Sequence, residues 1–469
     1  MMDIRVRFAP SPTGHLHIGG IRSAMFNWLF ARHTGGKYLL RIEDTDVVRS
    51  SQEYLDSQLE SLRWFGLESD EPIVYQLARA HEHIAAAKKL MEQGKAYPCF
   101  CPPRDADQVV HDLDLGIGSK YDGTCRDKAY TPEDLERPYA IRFKLPASLE
   151  TVAFEDVILG TITVNADQMD DFIIIRRDGT PIYNFCVVVD DIFMRITHVI
   201  RGQDHVSNTP KQVLYYQALG ARVPLFAHLP LILGPAGNKL SKRDASVSVE
   251  EYRAQGFMAN ALANYLVRLG WAHGDLEIFT KDEIIPLFML DGIGKKGAIF
   301  DIKKLEWLNG VYIRKTEPQG LIEQINDMSF EKTLEMQRVW TTEQLYRLLQ
   351  EYKQRAVTLC EIVRDITAFA SDPEQLDLSL LAKWRTEKTS QLVKDFLDAL
   401  QTVKILDHEQ LLAVAKAVCE KNQDKLVNLA QPLRLALTGS VTSPGVFELI
   451  AILGRERAIT RITTLLGQL

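Results

Sequence analysis

Residues 7–20 read Arg7-Phe8-Ala9-Pro10-Ser11-Pro12-Thr13-Gly14-His15-Leu16-His17-Ile18-Gly19-Gly20, and their types suit the handling of phosphate. His15 and His17 sit on a turn just before two glycines, where an imidazole can donate to phosphate oxygens. Gly19 and Gly20 let a nucleotide lie against the backbone. A helix opening there offers free N–H groups and partial positive charge. Either histidine alone reads as a hydrogen-bonded surface residue, and the run is neither a Walker loop nor a Gly-x-Gly-x-x-Gly turn. Far downstream, Pro235-Ala236-Gly237-Asn238-Lys239-Leu240-Ser241-Lys242-Arg243-Asp244 sets three cations within five residues. Such a run is ordinarily a solvated loop. Brought next to the first run, it supplies further donors for one triphosphate.

Three other groupings can do chemistry. In Arg41-Ile42-Glu43-Asp44-Thr45-Asp46 the acids make either a solvated turn or, with one carboxylate facing inward, a seat for the α-ammonium of an amino acid. Cys99-Phe100-Cys101 is followed about 20 residues later by Tyr121-Asp122-Gly123-Thr124-Cys125. Cysteines at i and i+2 with a third at a distance suit a metal, the alternative being buried thiols that cluster by chance. Last, an apolar run ends in Arg201-Gly202-Gln203-Asp204-His205, which puts polar groups at the end of a strand.

The elements that must position these groups can be read from patterning. A strand over Ile4–Ala9 enters the first turn, and Ile21, Ala24, Met25, Trp28 and Leu29 then mark a helix to His33, stopped by Gly35-Gly36. A strand through Lys37–Ile42 and amphipathic helices at Gln52–Trp64 and Ala78–Gln93 follow. This alternation predicts a parallel sheet covered by helices, with ligands at the carboxyl ends of its strands. The alternation breaks at Lys95. Strands are expected at Tyr139–Leu145, Phe172–Arg177 and Tyr183–Val189, the last returning the chain to the sheet, and a further strand at Phe226–Leu233 delivers the lysine-rich loop. Beyond Ser248 the pattern is helical, with apolar faces in Leu345–Leu349, Ala356–Val363, Gln391–Leu400 and Leu411–Val418.

The chain has 469 residues, 46% hydrophobic and 25% charged, which is soluble globular composition with room for several domains. No signal peptide and no apolar run of about 18 residues is evident, so no membrane span is expected. Six cysteines in such a length argue for reduced thiols in the cytoplasm rather than a disulfide framework. A net charge of −7 excludes a chain coated in basic residues, but not nucleic-acid binding through local clusters.

Together, His17-Ile18-Gly19-Gly20 and Lys239-Leu240-Ser241-Lys242-Arg243 resemble the two nucleotide-binding signatures of class I aminoacyl-tRNA synthetases, with glycine in place of the usual last histidine of the first. The lead-in Ala9–Gly14 and the run Arg41–Asp46 narrow the resemblance to the glutamyl/glutaminyl branch, bacterial type, over almost the whole chain. The fold so implied is an α/β Rossmann-like parallel-sheet catalytic domain with an inserted α+β domain, followed by an all-α C-terminal anticodon-binding domain. The segments expected are residues 1–94 (catalytic, first half), 95–189 (inserted, receiving the tRNA acceptor end), 190–247 (catalytic, second half), 248–318 (a stem-contact helical domain) and 319–469 (the anticodon-binding cage).

The activity implied is ATP-dependent attachment of L-glutamate to tRNA(Glu) through an adenylate, with tRNA bound before glutamate is activated. ATP contacts then fall to His15, His17, Gly19, Gly20, Lys239, Ser241, Lys242 and Arg243, with His17, Lys239 and Lys242 catalytic. Arg7 reads the side-chain carboxylate, Glu43 the α-ammonium, and Ala9, Ser11, Tyr183 and Arg201 complete the glutamate site, with Asp204 and His205 lining it. Gln203 stands where relatives carry glutamate and receives no role. Mg²⁺ accompanies ATP on general phosphate-chemistry grounds. A structural Zn²⁺ falls to Cys99, Cys101, Tyr121 and Cys125, since some relatives place a tyrosine four residues before the last cysteine; Asp127 and His111 are alternative fourth ligands. Lys303 and Lys304 would meet tRNA phosphates, unless their helix simply packs Leu305 and Leu308, and Arg355 is a candidate anticodon contact. A monomer is expected. Competing readings are an enzyme that also or only charges tRNA(Gln), a truncated relative that glutamylates a modified tRNA base, against which the long helical C-terminal region speaks, and an inactive tRNA-binding paralogue.

Overall fold

The computed structural model describes residues 3–102, 120–238, 240, 248–373 and 375–469. The chain divides into two compact units, Met1–Glu251 with Ala263–Asp301, and Tyr252–Leu262 with Ile302–Leu469. This is a coarser division than the five segments expected from sequence.

The first unit opens with β1 (Arg5–Phe8), α1 (Ile18–Thr34), β2 (Lys37–Ile42), α2 (Gln52–Trp64), β3 (Val74–Tyr75) and α3 (Ala80–Glu92). Strands β1, β2 and β3 are parallel neighbours, with Arg7 opposite Leu39 and Phe8 opposite Leu40. Tyr38 through Ile42 are all buried, as expected of a strand covered on both faces. Gly35 ends α1 at φ 66°, donating its N–H to Ala31 and Arg32 carbonyls, a left-handed cap that glycine adopts without steric cost.

The inserted region holds an antiparallel sheet of β4 (Ala96–Cys99), β5 (Ala140–Phe143) and, further along the chain, β8 (Ile173–Ile175). Between β5 and β8 lies the hairpin β6 (Thr151–Asp156) and β7 (Gly160–Asn165). The chain continues through α4 (Tyr183–Phe193), β9 (His198–Gly202), α5 (Thr209–Ala218), β10 (Leu225–Leu229), β11 (Ile232–Leu233) and β12 (Ala298–Ile299). Strand β10 pairs in parallel with β9 on one side and with β6 on the other. The Thr197 N–H donates to Arg5 O at 2.9 Å, which lays the start of β9 beside β1. Strand order reverses between β1 and β9, and a parallel sheet opens a crevice at such a switch point.

Two sequence expectations are corrected. Tyr183–Val189 is the opening of helix α4, not a strand. Its β-branched run reads as a strand, yet a fully buried helix shows the same continuous apolar signal, and Phe185 to Val188 are all buried. The helical turn rather than the pleat then aims Asp190 and Asp191 into the protein. Second, Phe226–Leu233 is two strands: β10 ends before Pro230, which cannot donate to a ladder, and β11 pairs with β12 instead.

The second unit is helical from Ile302–Lys315 to Arg455–Leu466. Leu345, Leu348, Leu349, Ile362, Ile366, Leu392, Phe396, Leu433 and Leu449 share one core, each such side chain contributing about 1.5–3 kcal/mol on burial. Thr341 and Gln344 form a capping box, and Thr358 and Asp407 cap the helices that follow them. In Ile302–Lys315 the inward face is Leu305 and Leu308, leaving Lys303 and Lys304 exposed. Among the described residues no helix is long and apolar enough to cross a membrane.

Candidate active site

At the mouth of α1, His17 is the N-cap, and its Nδ1 accepts from the Gly20 N–H at 3.1 Å. A nitrogen that accepts carries no proton, so the neutral ring holds its hydrogen on Nε2, which is then the donor nitrogen of the ring. The glycines serve this geometry: a Cβ on Gly19 would stand 3.0 Å from the His17 ring, and one on Gly20 2.9 Å from Leu16. No acidic residue lies in the first turn of α1, so its positive end is open to an anion. The preceding loop is pinned from α2, where Gln58 Nε2 donates to Ser11 O and Gly14 O at 3.0 and 2.7 Å. His15 is held by Ser57 Oγ at 2.8 Å, while Ser57 and Ser61 both donate to Glu250.

The floor of the crevice is a chain of buried charges. Arg7 Nε and Nη2 donate to the two oxygens of Asp191 at 3.0 and 3.3 Å. Arg41 donates to Asp191 and, through Nη2, to Glu43 Oε1 at 2.9 Å. Burial alone would raise the Asp191 carboxyl, but the Arg7 and Arg41 guanidiniums overcome it and hold the group at about 2. Glu43 is raised, because burial outweighs Arg41 and Arg7; a carboxylate so placed gains from a second cation. Asp190, one residue earlier on α4, is clamped separately by Gln76, Arg79 and His83.

On the β9 side, Arg201 is 8% exposed and makes no ion pair among the described residues. Its Nε donates to His228 Nε2 at 3.1 Å and its Nη2 to Thr209 Oγ1 at 2.8 Å. Burial, with the Arg7 charge adding to it, lowers its pKa to about 10. Burial also pushes the Tyr183 phenol up, with Glu43 contributing.

These groups line one cavity of about 800 Å³, which takes in Arg7, Ala9, Ser11, His15, His17, Gly19, Gly20, Glu43, Tyr183, Arg201, Asp204 and His205. Leu240 lines it too. Lys239, Ser241, Lys242 and Arg243 fall outside the described residues, as does His111. Asp191, Arg41, Gln58, Asp156 and His228 were not singled out by sequence reasoning. An acid pair inside an apolar run, as at Asp190-Asp191, was the one available signal.

In the inserted region Cys99, Cys101 and Cys125 gather with their Sγ atoms within 4.8 Å of one another. Cys101 and Cys125 Sγ are 3.5 Å apart, and the Tyr121 hydroxyl lies 3.7 and 3.8 Å from Cys99 and Cys101 Sγ. Tetrahedral zinc with Zn–S bonds of about 2.3 Å requires ligand separations of about 3.8 Å, so the four groups fit. Arg142 stacks 3.7 Å over the Tyr121 ring and donates to Cys99 Sγ at 3.3 Å, a cation that offsets the anionic ligand set. Asp127 is corrected as an alternative ligand: it is 79% exposed and pairs with Lys144 at 3.0 Å.

Residues 3–307 match the family of class I tRNA synthetases (E and Q), catalytic domain, and residues 321–466 match the anticodon binding domain. The chain belongs to the class I tRNA synthetases of this glutamate and glutamine type. Among its relatives, the "Glutamate--tRNA ligase" of Pelobacter propionicus is 44% identical and that of Thermodesulfovibrio yellowstonii 42%, each alignment covering 98% of both chains. A crystal structure of a glutamate tRNA ligase from Elizabethkingia meningosepticum in complex with its amino acid superposes with a TM-score of 0.88 at 30% identity, covering 100% of both chains.

Proposed function

We propose that the chain is a glutamate–tRNA ligase, which joins L-glutamate to AMP at the expense of ATP and passes the glutamyl group to the 3′ end of tRNA(Glu). The observation that carries the glutamate assignment is Arg201, a buried guanidinium without a carboxylate partner among the described residues, in the same cavity as the His17 helix mouth. Three guanidiniums (Arg7, Arg41, Arg201) meet two carboxylates (Asp191, Glu43) on the floor, and the cavity wall adds one charge of each sign, Arg22 and Asp204, so the count leaves one surplus positive charge. Glutamate neutralises it; glutamine would leave it buried and unbalanced. Arg7 and Arg201 read the side-chain carboxylate, with Tyr183 beside them. Glu43 takes the α-ammonium, and Ala9 and Ser11 bound the pocket.

Activation places a glutamate carboxylate oxygen on the α-phosphate and releases pyrophosphate. Charge grows on the phosphate oxygens, and donors fixed in advance lower that barrier. His17 Nε2 and the amides of Gly19 and Gly20 act on one side, with His15 at the rim. Lys239, Ser241, Lys242 and Arg243 act from the other. Mg²⁺ bound with ATP would screen the phosphates. The carboxylate nucleophile is already ionised at about pH 7, so no general base is needed. Transfer to the tRNA ribose hydroxyl then rests on positioning. Cys99, Cys101, Tyr121 and Cys125 would hold a structural zinc ion, which would brace the inserted region where the acceptor end is received. Arg355 and Arg434 are candidate anticodon contacts, the charge of the first adding to burial in lowering the pKa of the second.

Charging of purified tRNA(Glu) and tRNA(Gln), with pyrophosphate exchange in the presence and absence of each, tests the proposal. Glutamylation of tRNA(Glu) with tRNA-dependent exchange is expected. Exchange that never depends on tRNA, or none at all, overturns it, and efficient charging of tRNA(Gln) widens the substrate assignment.

A further inference from the structure

Behind Arg201, away from the cavity, lies a second buried relay that the reaction does not touch. His228 on β10 is fully buried, and its Nδ1 meets Asp156 Oδ2 at 2.6 Å. Asp156 ends β6 and also accepts from the N–H groups of Ile158, Leu159 and His228 itself at 2.9, 2.8 and 3.1 Å. A carboxylate with that many donors stays ionised, and its pKa is lowered, the donors and His228 overcoming burial. It therefore holds the His228 proton on Nδ1 and leaves Nε2 as an acceptor. Two groups use that acceptor: Arg201 Nε at 3.1 Å and Thr209 Oγ1 at 3.2 Å.

We infer that His228 is a positioning residue for glutamate recognition: a neutral imidazole, oriented by Asp156, that fixes the Arg201 guanidinium at the cavity wall by accepting from its Nε. This rests on the reading of Arg201 as the partner of the substrate carboxylate. Arginine Nε can only donate, so the fork is aimed by whichever acceptor stands behind it. A second carboxylate at the position of His228 would pair with Arg201 and cancel the charge that the substrate must meet. A neutral acceptor aims the fork and leaves its charge available. The groups facing His228 from the elements around it are Asp156 on β6, Arg201 on β9, His205 in the turn after β9, Arg7 on β1 and the Thr209 hydroxyl on α5; the Phe154 and Phe226 rings close the rest. Burial, with Arg201 and Arg7 opposing Asp156, lowers the His228 pKa, so the ring is neutral at working pH.

The test compares the full-length enzyme with its His228→Gln, His228→Leu and Arg201→Ala variants, measuring KM for glutamate and for ATP and kcat in tRNA charging. A hydrogen bond to a charged group lost in a buried site changes binding by about ten- to a hundredfold. His228→Leu should raise the glutamate KM by about that factor with ATP KM and kcat held near parental values, and His228→Gln, whose amide oxygen can accept, should recover most of the loss. In the parent, acidification past the ordinary histidine range protonates His228, whose pKa burial lowers, turns Nε2 into a donor facing Arg201 and raises the glutamate KM; His228→Gln lacks that limb. The pH comparison needs only the parent and the glutamine variant, so it stands if the leucine variant does not fold. An unchanged glutamate KM in His228→Leu, equal defects in the two His228 variants, or the same acid limb in parent and His228→Gln overturns the inference. Arg201→Ala with an unchanged glutamate KM overturns instead the reading of Arg201 on which it rests.

Discussion

Asp191→Asn isolates the group on which the floor of the crevice depends. The carboxylate receives Arg7 through Nε and Nη2, Arg41 through Nη1 and the Tyr216 hydroxyl at 3.1 Å, and it is 1% exposed. Asparagine keeps the shape but offers one oxygen and turns an N–H₂ towards a guanidinium. The positive surplus on the floor rises from one to two charges. A carboxyl held at about 2 instead of its ordinary 3.8 is worth about 2 kcal/mol at neutral pH. Because the folded value lies below the unfolded one, that stabilisation is complete above about pH 4 and drains away as pH falls from about 4 to about 2. Urea unfolding at about pH 7 should therefore show the variant less stable by about 2 kcal/mol, with the difference from the parent closing towards about pH 3. Release of Arg7 should raise the glutamate KM at least about tenfold, leaving the ATP KM within about twofold, since the His17 mouth does not touch Asp191. A parental glutamate KM, equal effects on both substrates, or a stability difference independent of pH between about 5 and 3 would refute this account of the charge chain.

Arg7→Ala should lower kcat/KM for glutamate at least about a hundredfold while ATP binding, followed by nucleotide titration, persists; near-normal charging removes Arg7 from the glutamate site. Gly19→Ala places a Cβ 3.0 Å from the His17 ring, so the ring should leave its cap and the ATP KM should rise several-fold with the glutamate KM little changed. Metal analysis of the purified protein should find one zinc per chain, with Cys125→Ser abolishing it, Tyr121→Phe weakening its retention against a chelator and Asp127→Ala leaving it intact; an equal zinc content in Cys125→Ser excludes the site.

Local chemistry was legible in the sequence. The turn at Pro10–Gly14, the glycines after His17, the alternation of strands and helices to Gln93 and the amphipathic faces of the C-terminal helices all depend on neighbours a few residues away, where backbone preference and periodicity act. The cysteine cluster was equally readable, because Cys99 and Cys101 share a strand end and Tyr121 and Cys125 one turn; of the two alternative fourth ligands, Asp127 is turned to Lys144 and His111 lies outside the described residues. What the tertiary structure alone decided was which charges meet. The run at Tyr183 is helical, a state its continuous apolar pattern does not separate from a buried strand, and that helix sends Asp190 to His83 and Asp191 to Arg7 and Arg41. Arg201 finds His228, which finds Asp156 across 72 residues of chain. A buried charge must be matched in space to offset its desolvation, and nothing in the short-range pattern of either partner names the other.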